Sequence, residues 1–405
     1  MRAAPTPPAR ATITAAPYPQ PILGRYAARV VPTIALDATP LLGQRTGIGV
    51  AVDGFIRHLA GRPGMDLVGY GLTARGWRNL QGHLPSGVRP VGCPAPAGLL
   101  IGMWSRIEWP PVELWTGRVD LVHGTNFVVP PSREARRLVS VWDLTAVHHR
   151  QLCTPASLRY PRLVARAVAG GAWVHTASRS VASEIVDHFG VDPERVKVVA
   201  PGVERPSAPE TASRPAGSAG RKRGDGRPYV LALGRTEPRK DLPTLIRSFD
   251  LVAESRPELE LRIAGPSGWA EDEVRGAIAG ARFSARIRRM GWVDDVRALV
   301  AGAAVFAYPS VYEGFGLPPL EAMALGVPVV ATAVGAIPEV AGDGSELVPP
   351  GDASAMASAI GRILDDSALR ADLVRRGYER VDRYSWPSAV DGLARAYEEI
   401  LGSCG

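Results

Sequence analysis

Short apolar runs alternate with longer stretches of amphipathic, helical pattern along most of the chain. Runs of the strand type occupy residues 31–36, 67–70, 121–123, 138–142, 173–176 and 196–199 in the first half, and residues 229–233, 259–264, 305–308 and 327–331 in the second. Strands that are apolar throughout and alternate with helices are typical of parallel sheets covered on both faces. The pattern predicts an α/β protein with two Rossmann-like, doubly wound domains. Because ligands of such sheets bind beyond the carboxyl ends of the strands, we expect a site in the cleft between the domains.

A segment with almost nothing to bury separates the two halves. Residues 204–228 are rich in Pro, Ala, Gly, Ser and charge, which is the composition of a mobile linker or surface insertion. The first 29 residues share this composition and are interpreted as a disordered leader. We therefore predict a leader at 1–29, an N-terminal domain at 30–203, the linker at 204–228, a C-terminal domain at 229–385 and a final helix at 386–405.

The composition is that of an ordinary soluble protein. Its 405 residues are 46% hydrophobic and 21% charged, which suits two globular domains with full cores. No apolar run approaches the roughly 20 residues of a membrane-spanning helix, and prolines interrupt residues 1–29 where a signal peptide needs an apolar core. We therefore expect a cytoplasmic protein. The three cysteines, Cys93, Cys153 and Cys404, form no Cys-x-x-Cys pair, so neither a disulfide framework nor a zinc site is indicated.

The net charge of +7 is unevenly distributed. Residues 1–200 hold 22 Lys and Arg against 12 Asp and Glu, a balance of +10, whereas residues 201–405 hold 25 against 28, a balance of −3. A basic first half suits an anionic membrane surface, a phosphorylated acceptor or nucleic acid, and the alternative is a solvated surface without a partner. We expect no nucleic-acid partner, because no helix-turn-helix, zinc-finger or aromatic-basic signature accompanies the charge.

Four clusters of residues are candidates for the cleft, and the first is a pair of glycines at a helix start. Gly47 and Gly49 adjoin the helical pattern of residues 50–59. Glycines there let backbone N–H groups approach a phosphate, whose charge the helix dipole favours. The alternative is that they only form a tight turn. A dinucleotide fingerprint would require Gly-x-Gly-x-x-Gly, but position 52 is Val52, so an oxidoreductase loses its main support.

The second cluster is a group of cations after a strand. Gly234, Arg235, Arg239 and Lys240 lie between the strand pattern of residues 229–233 and a helical pattern. Fixed cations at a strand end are suited to a diphosphate leaving group, which gains charge as its bond breaks. The alternative is solvated charge at a helix cap.

The third cluster is a pair of glutamates eight residues apart. Glu313 lies in a glycine-containing loop after the strand pattern of residues 305–308, and Glu321 lies on the second turn of a helix from about Gly316. Both carboxylates can therefore face the strand ends, where one can accept sugar hydroxyls and the other the paired hydroxyls of a ribose. The alternative is one helix-cap glutamate and one surface glutamate.

The fourth cluster follows another strand of the first half. Asp143, with His148 and His149 after it, is placed to orient substrate hydroxyls or carry protons, although an Asp after a strand is as readily a turn or helix cap. Asp294 and Asp295 precede a helical run and are interpreted as its N-cap, not as a metal-binding pair.

In this order the clusters resemble the family 4 retaining glycosyltransferases of the GT-B fold. The resemblance covers roughly residues 31–402, and its most specific part is the Glu-x7-Glu motif of Glu313 and Glu321. Other matching motifs are Gly234-Arg235, Thr176-Ala177-Ser178, Pro201-Gly202-Val203, Gly291-Trp292-Val293 and Ile337-Pro338-Glu339-Val340. The resemblance implies two Rossmann-like domains that face each other across a deep cleft, with a last helix that packs back on the first domain.

The resemblance also implies roles for single residues. Arg235 and Lys240 match the pair that holds the donor diphosphate, Glu321 the carboxylate that holds the ribose, and Glu313 a contact of the donor sugar. With Asp143, these cations and Glu313 form the expected catalytic set. The expected donor-binding set is Gly47, Gly49, Gly234, Val293, Gly314, Phe315, Gly316, Leu317 and Glu321. The resemblance implies no metal and no cofactor beyond the nucleotide diphosphate sugar that serves as co-substrate.

One residue departs from the pattern of the family. Many relatives carry His before the Asp of the fourth cluster, where it contacts the donor sugar, and this chain has Trp142. An indole cannot act as an acid or base, so the contact is replaced by stacking or lost. Trp142, His149 and His123 are the expected contacts of the acceptor or sugar. Within the family, we expect mannose from a guanosine diphosphate donor.

A segment of the first half holds three tryptophans among apolar residues and prolines, at residues 99–115. It forms part of the core, or it is a surface that faces an acceptor or a membrane. The second interpretation would place the protein peripherally at the inner face of the plasma membrane, on anionic lipid. Three functions are compatible with the residues: transfer of a hexose to a glycan, lipid-linked or small-molecule acceptor; epimerisation or hydrolysis of the nucleotide sugar; and sugar-nucleotide binding without catalysis.

Overall fold

The computed structural model describes residues 31–43, 47–74, 76–93, 95–206 and 226–403. The predicted leader at 1–29 and residues 207–225 of the predicted linker lie outside these ranges. From Pro32 onward the chain forms one unit. Within it, the first half is the described chain up to residue 206, and the second half is the described chain from residue 226.

A parallel sheet of seven strands organises the first half. The strands are β1 (Thr33–Asp37), β2 (Asp66–Leu72), β3 (Val88–Cys93), β4 (Leu121–Gly124), β5 (Arg136–Ser140), β6 (Trp173–Thr176) and β7 (Val196–Val198). The helices are α1 (Gly47–Leu59), α2 (Ala97–Trp104), α3 (Glu113–Thr116), α4 (Thr145–His148), α5 (Tyr160–Ala169) and α6 (Arg179–Phe189). The strand order is β3-β2-β1-β4-β5-β6-β7. The order reverses between β1 and β4, so their carboxyl ends flank the place where such sheets bind ligands.

A parallel sheet of six strands organises the second half. The strands are β8 (Tyr229–Leu233), β9 (Glu260–Ala264), β10 (Ile287–Gly291), β11 (Val305–Tyr308), β12 (Val329–Thr332) and β13 (Ser345–Val348). The helices are α7 (Leu242–Ala253), α8 (Glu271–Gly280), α9 (Val296–Ala301), α10 (Leu317–Ala324), α11 (Ile337–Val340), α12 (Ala353–Asp365), α13 (Ser367–Val381) and α14 (Trp386–Gly402). The strand order is β10-β9-β8-β11-β12-β13. Here the reversal lies between β8 and β11.

The predicted fold class is confirmed by these two sheets. Every predicted strand is present, with ends that shift by at most two residues. The central strands are buried along their length, as in β1, where Ile34, Ala35 and Leu36 are at most 1% exposed. Burial on both faces explains why they are apolar throughout. The prediction lacked β3, β10 and β13, which are edge strands of the two sheets.

The last helix, α14, returns to the first half and packs on α1. Its first residue, Trp386, stacks on His58 with ring centroids 5.0 Å apart and meets Phe55 edge-on at 5.5 Å. Gly54 and Gly202 make room for it, because a Cβ atom at either position would overlap Trp386. The predicted return of the C-terminal helix is therefore confirmed, and its anchor is an aromatic side chain set against two glycines.

Hydrogen bonds join the two halves beside the cleft. Ser178 Oγ donates to the carbonyl oxygen of Gly314 at 2.8 Å. Glu339 accepts from the backbone N–H groups of Arg179 and Ser180, both at 3.1 Å, at the start of α6. A carboxylate at a helix start is favoured because it meets unpaired N–H groups and the positive end of the helix dipole.

The tryptophan-rich segment at 99–115 divides between core and surface. Trp104 and Val112 are buried, and Trp104 Nε1 donates to the carbonyl oxygen of Pro110 at 3.1 Å. Leu99, Ile107, Trp109 and Leu114 are instead between 49% and 60% exposed. The core interpretation is thus confirmed for Trp104 and Val112, and a surface that faces an acceptor or a membrane stays a prediction for the exposed residues. No helix within the described ranges has the length and apolarity to cross a bilayer.

Candidate functional site

A cavity of about 690 Å³ lies between the carboxyl ends of the two sheets. Its lining includes most of the predicted site residues: Gly47, Trp142, Asp143, Gly234, Arg235, Lys240, Val293, Glu313, Gly314, Phe315, Gly316, Leu317 and Glu321. Side chains from distant parts of the sequence therefore meet at one place, where parallel sheets of this kind hold ligands.

Glu313 is held by three neighbouring side chains. Its Oε1 accepts from Lys240 Nζ at 2.6 Å and from Ser310 Oγ at 2.7 Å, and its Oε2 lies 2.6 Å from Arg239 Nη1. Burial alone would raise the pKa of the Glu313 carboxyl, but the neighbouring Arg239 and Lys240 cations lower it to about 2. Glu313 is therefore an anion over the whole physiological range of pH.

Lys240 is held in place from several sides. Nζ donates to Tyr308 OH at 2.6 Å as well as to Glu313, and it lies 4.4 Å from the centroid of the Tyr308 ring. Burial lowers the pKa of Lys240, against the Glu313 charge that raises it. Asp241 follows the short 3-10 turn that contains Lys240 and has a left-handed conformation with φ of 40°. Its side chain caps α7 by accepting a hydrogen bond from Thr244 N. This cap fixes the backbone that carries Lys240.

Glu321 has a different electrostatic environment, although it lines the same cavity. It lies on α10, whose first turn follows Gly316 with φ of 104°. Burial raises the pKa of the Glu321 carboxyl to about 7. Among the residues that the structure describes, no cation or hydroxyl pairs with it. The two glutamates of the motif are thus one fixed anion and one carboxyl that ionises near neutral pH.

Arg235 is more open than the other cations of the cavity. Its side chain is 35% exposed, and its Nε lies 3.9 Å from Glu237 Oε1. Burial raises the pKa of Glu237, with the neighbouring Arg239 and Lys240 opposing this shift. Arg235 is the cation with most surface available to an incoming anion.

On the first half, Trp142 and Asp143 face the glycine loop of the second half. Trp142 is 7% exposed and its Nε1 donates to the carbonyl oxygen of Thr125 at 2.8 Å. Asp143 Oδ1 accepts from Thr145 N at 2.9 Å, in the manner of a turn residue, and its side chain also lines the cavity. Asp295 likewise caps α9 by accepting from Ala298 N at 2.8 Å, as predicted.

Three predicted site residues lie apart from the cavity lining: Gly49, His149 and His123. Gly49 is buried within α1. The His149 ring contacts Tyr312, with centroids 5.2 Å apart. His123 is 2% exposed, and its ring nitrogens bond to Tyr397 OH and Ser140 Oγ, each at 2.8 Å. Burial lowers the pKa of His123, so it is a neutral core histidine and its position does not suit acceptor contact.

Three residues of the site were missing from the predicted set: Arg239, Tyr308 and Ser310. All three contact Glu313 or Lys240 directly. Arg239 is next to Lys240 in the second cluster, so its charge could have identified it as a site residue. Tyr308 and Ser310 carried no signal beyond their place at a strand end.

Comparison with known proteins finds a family model that resembles the second half. Residues 215–380 match the family described as "Glycosyl transferases group 1". The "O-antigen chain mannosyltransferase B" of Escherichia coli is 36% identical over 173 residues, which are 42% of this chain and 45% of that protein. The "D-inositol 3-phosphate glycosyltransferase" of Salinispora arenicola is 34% identical over 245 residues, 56% of this chain and 55% of that protein. The chain spans about half the length of these curated relatives.

A solved structure resembles the whole arrangement of two sheets. Anabaena Alr3699/HepE in complex with UDP and glucose superposes with a TM-score of 0.68 at 16% identity, covering 91% of this chain and 100% of that one. At this identity the likeness concerns the fold. The two halves form a GT-B fold with its cavity at the strand ends.

Proposed function

We propose that this protein is a retaining, metal-independent glycosyltransferase. It moves a hexose from a nucleotide diphosphate sugar to a hydroxyl group of a glycan, lipid-linked or small-molecule acceptor. We put forward mannose as the hexose and guanosine diphosphate mannose as its donor. The family match of residues 215–380 supports glycosyl transfer, and the name of the Escherichia coli relative supports mannose. The bound UDP and glucose of the Anabaena structure support a nucleotide sugar as donor.

The observation that carries this proposal is the anchoring of Glu313 by two cations. A carboxylate offers about four acceptor positions, and Arg239, Lys240 and Ser310 occupy three of those of Glu313. An ammonium group has three N–H donors, of which Lys240 uses two for Tyr308 and Glu313. The third, with Arg235 nearby, is available to a diphosphate oxygen.

The proposed reaction uses these groups as follows. The acceptor hydroxyl oxygen bonds to the anomeric carbon on the face from which the diphosphate departs, and its proton passes to a diphosphate oxygen. Arg235 and Lys240 stabilise the charge that the leaving diphosphate gains, which is where fixed cations contribute most. Glu321, when ionised, accepts the paired ribose hydroxyls and orients the nucleotide. The products are a glycoside with retained configuration and a nucleoside diphosphate.

Incubation with GDP-mannose or UDP-glucose and a panel of alcohol acceptors tests the proposal. We expect release of the nucleoside diphosphate to depend on acceptor, and proton NMR to show the same anomeric configuration in product and donor. Arg235→Ala should lower kcat by about 100-fold or more, as loss of one group that stabilises the transition state does. The matched control is Arg275→Ala, an exposed arginine of α8 outside the cavity.

Other outcomes of this assay identify the alternatives. Donor consumption without acceptor favours an epimerase or hydrolase of the same fold, and donor binding without consumption favours a sugar-nucleotide-binding protein. A product of inverted configuration would contradict the retaining mechanism. Full activity after dialysis against EDTA is expected, and activity that returns only with added divalent cation would contradict metal independence.

We also propose peripheral contact with anionic membranes through the exposed residues Leu99, Ile107, Trp109 and Leu114. Their exposure and the positive balance of the first half support it. Sedimentation with phosphatidylglycerol vesicles should occur at low salt and weaken as salt rises. If the same amount of protein is found in the pellet with and without vesicles at low salt, the result contradicts this contact.

A further inference from the structure

We propose that the acceptor is an uncharged molecule that carries an alkyl or aryl group close to the hydroxyl that receives the sugar. This inference rests on the proposed function, because it assigns the first-half wall of the cavity to the acceptor. Three features of that wall support it: the distribution of charge, the apolar lining, and one strained aromatic residue.

The charged side chains of the cavity are divided unequally between the two halves. The second half contributes Arg235, Glu237, Arg239, Lys240, Glu313 and Glu321. Among its described residues, the first half contributes Asp143 alone. A phosphate on the acceptor would lie against this anion, and the nearby cation Arg239 is already shared by Glu313 and Asp143. Like charges placed in this way repel each other, and burying them is costly. The wall therefore suits a neutral acceptor.

Most of the remaining first-half lining is apolar. It includes Ile48, Val50, Phe127, Leu152, Tyr160 and Val164. Val50 on α1 keeps 39% of its surface exposed, and Leu152 is only partly buried, so both leave apolar surface uncovered inside the cavity. Ligand pockets bury their ligands against walls of this kind and use a few polar groups for orientation. An alkyl or aryl group of the acceptor would cover this surface.

Phe127 gives the wall an aromatic platform at the cost of backbone strain. Its φ is 59°, a left-handed conformation that is unusual for a bulky side chain. Three hydrogen bonds hold the loop. Phe127 N donates to the Ser140 carbonyl oxygen at 2.9 Å, and Thr125 Oγ1 donates to the Asp37 carbonyl oxygen at 2.6 Å. Trp142 Nε1 donates to the Thr125 carbonyl oxygen at 2.8 Å. The Phe127 ring stacks on Tyr160, with centroids 4.9 Å apart and an interplanar angle of 7°. Strain of this kind clusters at ligand sites, which supports a binding role for the pair.

Equilibrium binding of three mannose derivatives tests the inference. Hexyl α-D-mannopyranoside, methyl α-D-mannopyranoside and D-mannose 6-phosphate are titrated calorimetrically into the full chain, each below any micelle-forming concentration. We expect the hexyl glycoside to bind at least tenfold more tightly than the methyl glycoside, and the 6-phosphate no more tightly than the methyl glycoside. A smaller ratio, no saturable binding of the hexyl glycoside, or tighter binding of the 6-phosphate overturns the inference.

A matched pair of variants locates the binding. Leu152→Asp places a carboxylate on the apolar wall, and Ala165→Asp places one on the exposed face of α5 outside the cavity. The first should weaken hexyl-glycoside binding at least tenfold, and the second should leave it unchanged. An equal effect of both variants, or no effect of Leu152→Asp, overturns the assignment to this wall.

A second readout uses a thiol that lines the same wall. Cys153 is a free cysteine, partly buried in the cavity, and burial raises the pKa of its thiol. Its labelling by N-ethylmaleimide, followed by mass spectrometry of its peptide, should be slowed at least threefold by the hexyl glycoside and not by the methyl glycoside. Equal labelling rates with the two glycosides count against the inference.

Donor titrations in the same preparations separate this inference from the proposed function. If GDP-mannose or UDP-glucose binds while the hexyl preference is absent, only the acceptor assignment fails. If neither donor binds, the proposed function fails, and the acceptor assignment fails with it.

Discussion

The carbonyl oxygen of Trp142 occupies the space in which residue 314 would carry a Cβ atom, so only glycine fits opposite it. Asp143 Cβ is also within 2.8 Å of that position. The loop that carries Glu313 in the second half is therefore seated directly on a strand end of the first half. This contact sets the distance between the donor side and the opposite wall.

Gly314→Ala should impair catalysis by forcing these two backbones apart. Backbone atoms cannot yield as a flexible side chain does, so the Glu313 loop has to move. We expect kcat/KM to fall at least tenfold, since displacements of about 1 Å at an active site have effects of this size or larger. Steady-state kinetics measure this, with circular dichroism to confirm folding.

Gly276→Ala is the control for that substitution. Gly276 lies in α8 with open space around its Cβ position. Alanine there should leave kcat/KM unchanged and stabilise the helix by up to about 1 kcal/mol. Equal loss of activity in both variants would rule out the contact at Gly314 as the cause.

Glu313→Gln should lower the free energy of unfolding at neutral pH and weaken its dependence on pH in the acid range. It leaves Arg239 and Lys240 without their shared anion, and breaking a buried ion pair on one side costs about 3–5 kcal/mol. Because its folded pKa is depressed to about 2, Glu313 stabilises the fold fully above its usual pKa of 4.5, and this contribution is lost as pH falls toward 2. Urea denaturation at pH 7 and below pH 4 measures both effects.

Glu254→Ala provides the comparison for that experiment. Glu254 pairs with Arg282 on the surface, where both side chains are at least 60% exposed. Loss of this ion pair should lower the free energy of unfolding by no more than about 1 kcal/mol. If Glu313→Gln lowers the free energy of unfolding by as little as this, the burial of Arg239 and Lys240 does not depend on the charge of Glu313.

The central strands could be predicted from sequence because burial on both faces makes them apolar throughout. The strands that were missed lie at edges and carry polar residues: β3 carries Arg89, β10 carries Arg288 and Arg289, and β13 carries Glu346. An edge strand meets solvent on one side, so its pattern is not apolar throughout. A search restricted to apolar runs missed these three strands, although it found the edge strand β7, in which Lys197 is the one polar residue.

In the candidate site, sequence motifs identified some residues but not the contacts between residues far apart in the chain. Glu313 and Lys240 were predicted because each stands in a local motif. Arg239 reaches Glu313 across 74 positions of sequence, a pairing that only the fold reveals. His123 is the last residue of a predicted strand, and its ring points into the core toward Tyr397. Successive side chains of a strand alternate between faces, so closeness to a strand end does not fix which way a residue points.

Donor affinity should depend on pH through Glu321. Its pKa is raised to about 7, and the ionised form is the better acceptor for two ribose hydroxyls. If only that form binds, affinity rises about tenfold between pH 6 and pH 8. Calorimetric titration of GDP-mannose or UDP-glucose across this range measures it. Glu321→Gln should give a flat profile, and an unchanged profile in that variant would assign the dependence to another group.

Asp37→Asn should stabilise the protein at neutral pH. Burial raises the pKa of Asp37 to about 6, although hydrogen bonds from Thr39 oppose the shift. The folded state therefore holds a proton that the unfolded state releases, and stability falls as pH rises from about 3.8 to 6. We expect the variant to be about 2–3 kcal/mol more stable at pH 7.5, with little difference at pH 3.5. Denaturant titrations at the two pH values check this.

The seat of Trp386 between Gly54 and Gly202 has a consequence for the order of synthesis. Residues 386–402 leave the ribosome after every element on which they pack. Until then, the indole of Trp386 does not cover the face of α1 around His58 and Phe55. The first half can form its sheet early during translation, but its surface is closed only when α14 arrives, so completion of the first half depends on synthesis of the second.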